Sequence, residues 1–278
     1  MALLQKLRSQ SGAPIKDCKK ALEASNGDMD EALEWMKKQG SLLRNKRSDQ
    51  EASQGLVGVA FSGTDTGALV ELSTETDSVA RLEMIHDLVN GMLQSILKSP
   101  QPGDSAVVEL STDAIEDLPY GEQGESKVKD AVAEAVLQVR ENIVPRRGVR
   151  LTQPGGVVSG YVHNVTKTHV EEAKMGAIGV ILAVKGAPGS DAAQALGNKI
   201  AMHVAAAKPE YLSDQHVPPE HLENQRNLLA EIARSEGKPE KVVEKMVEGR
   251  LRKFFNETCL LNQAYLIHEG DEATPTVA

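Results

Sequence analysis

Apolar residues at the start of the chain recur every three or four positions, the spacing that places them on one face of an α-helix. Three such stripes cover residues 3–7, 15–22 and 32–36. Gly12 separates the first two stripes, and an Asn-Gly pair at residues 26–27 separates the last two. Because glycine and asparagine favour the left-handed backbone at which helices end, the pattern predicts three short helices.

The third helix is expected to begin after Asp28, whose carboxylate can accept hydrogen bonds from the free N–H groups of the first turn. We expect Gly40 to end this helix. Residues 41–54 are polar and lack a repeating pattern, so they predict a linker. A three-helix domain of residues 1–40 buries too little area for a deep catalytic pocket, which indicates a docking module.

Shorter apolar runs follow the linker and indicate β-strands. Residues 55–61 and 68–72 predict the two strands of a hairpin, and the helical spacing of residues 82–96 predicts a helix after it. A second helix is expected around residues 128–143. Together these elements predict an N-terminal core subdomain over residues 55–152.

The same order of two strands and a helix recurs in the next part of the chain. Strands are expected at residues 156–163 and 177–184, and a helix is expected at residues 191–207. Two copies of one β-β-α unit predict a duplicated α+β core, in which each antiparallel sheet is covered by helices on one face. The second core subdomain is expected over residues 153–212 and 259–270.

Residues 218–255 show a helical pattern that is interrupted at residues 237–239, Gly-Lys-Pro. Two helices joined by so short a turn must run antiparallel, and they carry more apolar residues than one stripe can bury. We therefore expect a protruding coiled-coil hairpin over residues 213–258, which is also a candidate surface for oligomerisation. Residues 271–278 are expected to form a loose tail.

Charge and aromatic content narrow the class of partner. The chain has 31 Lys and Arg against 40 Asp and Glu, a net charge of −9, although residues 1–50 have a net charge of +3. An acidic surface is a poor partner for nucleic acid or an anionic membrane. One Trp, four Tyr and three Phe are too few for a base-stacking surface. The longest apolar run, residues 175–184, is too short for a membrane span and predicts a buried strand.

The sequence contains no motif of a phosphate-binding loop, a zinc protease or a serine hydrolase, so no cofactor, metal ion or covalent catalysis is expected. Cys18 and Cys259 form no Cys-x-x-Cys pair, which indicates a reducing compartment. His203 lies among small apolar residues and is interpreted as a packed, hydrogen-bonded core histidine. Residues 75–77, Glu-Thr-Asp, lie between a predicted strand and a predicted helix, where Thr or Asp can cap the helix.

Six short segments of the chain are informative when they are considered together and in order. They are the N-terminal block with Asp17-Cys18-Lys19-Lys20-Ala21-Leu22, then Gly55-Leu56-Val57, Glu75-Thr76-Asp77, Tyr161-Val162-His163, Met202-His203-Val204-Ala205-Ala206 and the block from Lys245 to Phe254. In this order, over residues 3–268, they resemble the elongation factor Ts family, the guanine-nucleotide exchange factors of elongation factor Tu. A chance match to one block is easy, but six blocks in order make the resemblance specific.

The resemblance implies a ubiquitin-associated-like three-helix domain, a duplicated α+β core and a coiled-coil hairpin. It implies that the chain binds elongation factor Tu in its GDP form, with its N-terminal helices docked on the G domain. GDP release would then be promoted by disturbing the magnesium and phosphate site, so that GTP can rebind. No bond is made or broken by such a factor, and no direct contact with nucleic acid or membrane is implied.

The site residues also come from the resemblance. Four consecutive residues correspond to the family's Thr-Asp-Phe-Val motif, which intrudes beside the magnesium and phosphate site of the partner. The second predicted helix adds two lysines, and a core histidine touches the partner. The implied partner-binding residues are Thr76, Asp77, Ser78, Val79, His163, Lys19 and Lys20.

Two positions depart from the family pattern. Ser78 stands where the family has phenylalanine, so the aromatic wedge is missing, and Arg140 stands where the family commonly has a glycine that contacts the partner. The alternative function is therefore a Tu-binding stabiliser or chaperone of the same fold with weakened exchange. The missing wedge and the lack of a match after His268 are more typical of a mitochondrial member. We expect the mitochondrial matrix, with bacterial cytoplasm as the alternative.

Overall fold

The computed structural model of the chain describes residues 2–100, 106–186, 188–235, 237, 239–268 and 274–278. It shows an α+β protein with antiparallel sheets, as predicted. The residues form two compact units, Met1–Gly197 and Asn198–Ala278, and the division between them lies inside one helix. The predicted domain boundaries lie elsewhere and stay a prediction.

Helices dominate the two ends of the chain and strands its middle. The α-helices of the described residues are α1 (Ala2–Ser11), α2 (Ile15–Ala24), α3 (Met29–Arg47), α4 (Asp77–Ala80), α5 (Glu83–Lys98), α6 (Thr112–Glu116), α7 (Val128–Val139), α8 (Asp191–Ala207), α9 (Pro219–Ser235) and α10 (Glu240–Thr258). The strands are β1 (Gln54–Ser62), β2 (Thr66–Thr74), β3 (Val107–Ser111), β4 (Pro119–Tyr120), β5 (Ser126–Lys127), β6 (Ile143–Thr152), β7 (Gly156–His163), β8 (Ala173–Gly176) and β9 (Ile178–Lys185).

Helices α1, α2 and α3 pack on one another around a small apolar core. Cys18 and Met36 are buried in this core, and Leu137 of α7 completes it. Asp28 caps α3, because its carboxylate accepts hydrogen bonds from two N–H groups of the first turn at 2.9 and 3.0 Å. The predicted start of the third helix is therefore confirmed.

Helix α3 does not end at Gly40, as predicted, but continues to Arg47. Gly40 is buried against α7, and a Cβ atom at this position would lie 2.6 Å from the carbonyl oxygen of Ala133. The two helices approach so closely here that a side chain does not fit, which explains the glycine without a helix end. The first half of the predicted linker, 41–54, is therefore helical, and its basic residues suit the negative end of the helix dipole.

Strands β3, β6, β2, β1 and β8 form a five-stranded antiparallel sheet in that order. Strands β1 and β2 make the predicted hairpin, in which Gln54 pairs with Thr74 and Ser62 pairs with Thr66. Helices α5 and α7 cover one face of the sheet and share its apolar core. Helix α5 confirms the helix predicted over residues 82–96.

Strands β7 and β9 form a separate two-stranded antiparallel sheet. This sheet packs on the other face of the five-stranded sheet, where a Cβ atom at Gly179 of β9 would lie 3.1 Å and 3.2 Å from the side chains of Val57 and Val59 of β1. The start of α8 covers β7, because the side chain of Gln194 donates a hydrogen bond to Ser159 Oγ at 2.9 Å. The two predicted β-β-α units are therefore present, with helices on one face of each sheet.

Two predicted elements of the core differ from the structure. Helix α7 ends at Val139 and not near Ile143, because Arg140 adopts a left-handed backbone with a φ of 64° and Ile143 begins β6. The apolar run 175–184, predicted as one buried strand, is divided between two sheets, since β8 pairs with β1 and β9 pairs with β7. Ala177 separates these strands, and β9 is half-buried.

In the second unit, α9 and α10 pack on each other. The helical conformation is interrupted between them, where Gly237 has a left-handed backbone with a φ of 72°. Lys238, part of the predicted break, lies outside the described residues. Leu228, Ile232 and Val242 are exposed on these two helices. The protruding coiled-coil hairpin and its part in oligomerisation stay predictions.

His203 is fully buried in the second unit. Its Nε2 lies 3.0 Å from Gln263 Oε1, and its Nδ1 accepts a hydrogen bond from the Leu266 N–H at 3.3 Å, which confirms the predicted core histidine. Residues 269–273 of the tail region lie outside the described part of the chain. The Val277 N–H donates to the Gln263 carbonyl at 3.1 Å, so the described end of the predicted loose tail is attached.

Candidate partner-binding site

Residues 76–79 form a turn between β2 and α5, made of the N-cap and the first three residues of the short helix α4. Thr76 is the N-cap of this helix, because its Oγ1 accepts a hydrogen bond from the Val79 N–H at 3.4 Å. Asp77 does not cap the helix, and its carboxylate lies 2.9 Å from the Arg81 guanidinium on the surface. The capping interpretation is right for Thr76 and wrong for Asp77.

The turn is anchored by its last residue. Val79 is only 8% exposed and belongs to the main apolar core, whereas Thr76, Asp77 and Ser78 are exposed. Leu82, which follows the turn, is 41% exposed. The exposed groups of the site are therefore the hydroxyls of Thr76 and Ser78, the carboxylate of Asp77 and the apolar side chain of Leu82. Val79 attaches this segment to the core.

Two carboxylates that the sequence pattern does not indicate hold this turn. Glu141 accepts hydrogen bonds from the Thr76 N–H at 3.0 Å and from the Thr76 hydroxyl at 2.9 Å. Glu75 accepts hydrogen bonds from the Asn142 N–H at 2.5 Å and from the Arg47 guanidinium at 2.9 Å. The partners are distant in sequence, so no periodicity reveals them, and Glu75 was visible only as the first residue of a motif.

Arg140 connects the N-terminal helices to this region. Its guanidinium forms an ion pair with Asp17 of α2, and its N–H donates to the Val136 carbonyl at 2.9 Å. A left-handed backbone costs a residue with a side chain about 1 kcal/mol relative to glycine, which accounts for the family glycine that the resemblance implies here. In this chain the arginine side chain adds a contact to α2.

Lys19 and Lys20 are exposed on α2, as a contact with a partner requires. Lys19 Nζ lies 3.7 Å from the Glu23 carboxylate one turn further along the helix. Such exposed pairs contribute little, so the ammonium group stays available to a partner. Asp17 on the same helix reaches Arg140, and α2 is thereby joined to the residues that hold the turn.

His163 lies at the end of β7 and is exposed. Its Nδ1 is 3.1 Å from the Tyr161 hydroxyl oxygen, and its carbonyl accepts a hydrogen bond from the Ala177 N–H at 3.0 Å. The neighbouring Gly176 of β8 pairs with Val57, close to the start of β1. The register places His163 and the turn toward the same end of the sheet.

The described residues include no group of three or more His, Cys, Asp or Glu side chains placed to hold a metal ion. In the part of the chain that the structure describes, none of the helices is both long enough and apolar enough to cross a bilayer. A cavity of about 590 Å³ opens beside the start of β1, and its lining includes Glu71 and Arg147, which form an ion pair at 2.7 Å.

Comparison with known proteins identifies relatives along most of the chain. Residues 75–275 match the family model described as Elongation factor TS. Proteins named Elongation factor Ts from Allorhizobium ampelinum, Rhizobium meliloti and Agrobacterium fabrum are 39%, 38% and 39% identical to the chain over 267 residues. These residues cover 96% of the chain and 82% of each relative.

The reported relatives are all bacterial, and they give no support to the expected mitochondrial location. Their similarity extends over nearly the whole chain, including most of residues 1–74, which the family model does not match. The family model itself begins at Glu75, the first residue of the motif that contains the turn. The chain therefore belongs to the elongation factor Ts family of translation elongation factors.

Proposed function

We propose that this chain is a guanine-nucleotide exchange factor that binds elongation factor Tu in its GDP form and accelerates GDP release, after which GTP can rebind. The observation that carries the proposal is the exposed edge of Thr76, Asp77 and Ser78, anchored by Val79 in the core. By the resemblance to the family, these residues correspond to its intruding motif. The Asp77 carboxylate is not used to cap α4, and its ion pair with Arg81 is exposed to solvent, so a partner can compete for it.

The physical basis of such exchange is linkage. A protein that binds the nucleotide-free state of its partner more tightly than the GDP state must weaken GDP binding by the same factor. A carboxylate that enters beside a magnesium ion and phosphates adds negative charge where charges are already balanced, and this favours loss of the nucleotide. The factor itself changes no covalent bond, so it is not an enzyme in the sense of covalent catalysis.

Further partner contacts are proposed for Lys19 and Lys20 on α2 and for His163 at the end of β7. All three side chains are exposed and lie in the same compact unit as the turn. The ion pair of Asp17 with Arg140 attaches α2 to the chain segment that holds the turn. Docking of α2 on the partner would therefore also orient the turn.

Ser78 cannot act as the aromatic wedge that the family motif inserts into its partner. A serine hydroxyl cannot fill a pocket that an aromatic side chain fills, and aromatic residues at the centre of an interface are often worth about 2 kcal/mol or more. Asp77 and the exposed Leu82 are the neighbouring groups that remain for the intrusion. The same observation is the reason for testing the stabiliser alternative beside the exchange function.

The experiment is a stopped-flow measurement of the release of fluorescently labelled GDP from elongation factor Tu of the same organism. We expect the chain to accelerate release until the rate saturates. Asp77→Ala should lower the acceleration by about tenfold, equivalent to 1.4 kcal/mol. Because Asp77 is exposed and does not cap the helix, its free energy of unfolding should change by less than about 0.5 kcal/mol.

Asp113→Ala is the matched control. Asp113 is also exposed in the first turn of a short helix with a hydroxyl N-cap, Ser111, and it lies outside the proposed contact residues. It should leave the release rate unchanged. Equal losses in both variants would show that Asp77 acts only within its helix. If the wild-type chain does not accelerate release and Ser78→Phe does, the stabiliser function replaces the exchange function.

A further inference from the structure

The two chain segments that hold the site meet where β2 ends and β6 begins. Thr74, the last residue of β2, pairs with Ile143, the first residue of β6. Beyond this pair the backbone ladder stops, because Thr76 caps α4 and Arg140 ends α7. The residues in between have no strand partner to fix their direction.

Beyond the last backbone pair, two side chains connect the segment that follows β2 with the segment that precedes β6. Glu141 Oε2 accepts a hydrogen bond from the Thr76 N–H at 3.0 Å, and Glu75 Oε1 accepts one from the Asn142 N–H at 2.5 Å. Each carboxylate therefore binds the backbone N–H of the residue that follows the other carboxylate. We name Glu75 and Glu141 the reciprocal clamp.

Two further contacts fix the reciprocal clamp. The Thr76 hydroxyl donates to Glu141 Oε1 at 2.9 Å, so both polar groups of this residue are held by one carboxylate. The guanidinium of Arg47, the last residue of α3, donates to Glu75 Oε1 at 2.9 Å and balances its charge. The end of α3 is thereby attached to the same point as the turn.

Stability alone does not explain the contacts of Glu141 in the reciprocal clamp. The hydrogen bonds between Thr76 and Glu141 lie at the surface, where water can satisfy the same N–H and hydroxyl groups, so they add little to the free energy of unfolding. Their specific effect is to fix the direction of the residue that precedes Asp77. A turn held in its binding conformation loses less conformational entropy when a partner is bound.

We propose that Glu75 and Glu141 are positioning residues for nucleotide exchange, and that the reciprocal clamp holds residues 76–78 in the conformation in which Asp77 enters the partner. This inference rests on the proposed exchange function. Neither glutamate is assigned a contact with the partner. Loss of the reciprocal clamp should therefore lower the rate within the complex more than it lowers the affinity of the complex.

The test measures GDP release from elongation factor Tu over a range of factor concentrations. Glu141→Ala loses both hydrogen bonds to Thr76, and we expect the saturated release rate to fall about tenfold while the half-saturating concentration changes less than about twofold. Glu141→Gln keeps an amide oxygen for the Thr76 N–H and should recover most of the rate. A residue needed only for folding would not separate these two parameters.

Glu116→Ala is the matched control. Glu116 is a half-buried carboxylate that also pairs with an arginine of α3, Arg44, but it does not contact the turn. Its saturated rate should equal that of the wild type. Amide hydrogen exchange at Thr76 gives an independent measure, which should be faster in Glu141→Ala and unchanged in Glu116→Ala.

Equal losses of rate in Glu141→Ala and Glu116→Ala, or a loss confined to the half-saturating concentration, would overturn the positioning role. A wild-type chain that does not accelerate GDP release would instead overturn the exchange function. In that case, and also if Glu141→Ala does not fold, amide exchange in the wild type decides on the reciprocal clamp. An unprotected Thr76 amide would overturn it, and a protected one would support it.

Discussion

Two glycines inside long helices, Gly40 of α3 and Gly249 of α10, lie in opposite environments. A Cβ atom at Gly40 would lie 2.6 Å from the Ala133 carbonyl oxygen, in the buried contact between α3 and α7. At Gly249, a Cβ atom would meet nothing within 4 Å among the described residues. The same residue type marks a close helix contact in the first unit and an open helix surface in the second.

This difference bears on the candidate site. Helix α3 ends at Arg47 and α7 ends next to Arg140, and these two ends supply contacts around Glu75 and Glu141. The close approach at Gly40 joins the two helices whose ends supply these contacts. Helix α10 has no such contact at Gly249 among the described residues.

The largest effect is expected where the contact is tightest. Gly40→Ala places a methyl group against the backbone of α7, and we expect the free energy of unfolding to fall by about 2 kcal/mol, as for other overpacked cores. Trp35, the only tryptophan of the chain, packs against the core of the same three helices, so its fluorescence in a denaturant titration reports this loss. A gain in stability would show that α3 and α7 do not approach this closely.

The opposite sign is expected at the open position. Gly249→Ala adds a methyl group where nothing opposes it, and alanine is favoured over glycine in a helix interior by about 1 kcal/mol, so the free energy of unfolding of the second unit should rise by up to this amount. Denaturant unfolding followed by circular dichroism measures the change. A loss of stability in this variant would remove the contrast with Gly40.

Helix ends illustrate which parts of the fold the sequence could predict. Gly40 resembled a helix end because glycine favours such ends, and Arg140 did not because arginine favours helix interiors. Both predictions were wrong. Gly40 is required by the close approach of Ala133 on α7, and Arg140 ends its helix because it adopts a left-handed backbone. Strongly periodic or alternating segments, such as β1, β2, α5 and α8, needed no such information and were predicted correctly.

Only part of the candidate site could be predicted from the sequence. Residues 76–79 were selected by their resemblance to a family motif, and the structure adds which of them are exposed. The partners of Glu75 and Glu141 lie 67 and 65 residues away, and contacts at such distances leave no periodic signal. The run 175–184 failed for a related reason, because continuous apolar character indicates a strand but does not indicate its sheet.

Two buried histidines extend the comparison of the units to charge. Both ring nitrogens of His203 in the second unit have hydrogen-bond partners. His86 on α5 in the first unit is only 1% exposed, and neither of its ring nitrogens makes a hydrogen bond of normal geometry among the described atoms. Burial of an imidazole without hydrogen bonds of normal geometry disfavours its charged form.

Burial is the largest cause that lowers the pKa of His86 below its ordinary value of 6.5. The nearby backbone of Ala80 opposes this shift, His169 adds to it, and Asp87 and Glu83 oppose it more weakly. Because the pKa in the folded state is the lower one, the unfolded chain binds the proton more readily. The contribution of neutral His86 to stability is therefore fully present above pH 6.5 and is lost as the pH falls below this value.

The smallest expected effect is the removal of this pH dependence, since it concerns a single proton. In His86→Leu, the free energy of unfolding of the first unit should decrease less between about pH 7 and pH 5 than in the wild type. Met92→Leu, which changes a fully buried side chain of the same helix and alters no titratable group, should keep the wild-type profile. If His86→Leu and the wild type had the same profile, burial would not suppress the charged imidazole, and the contrast between His86 and His203 would concern hydrogen bonds alone.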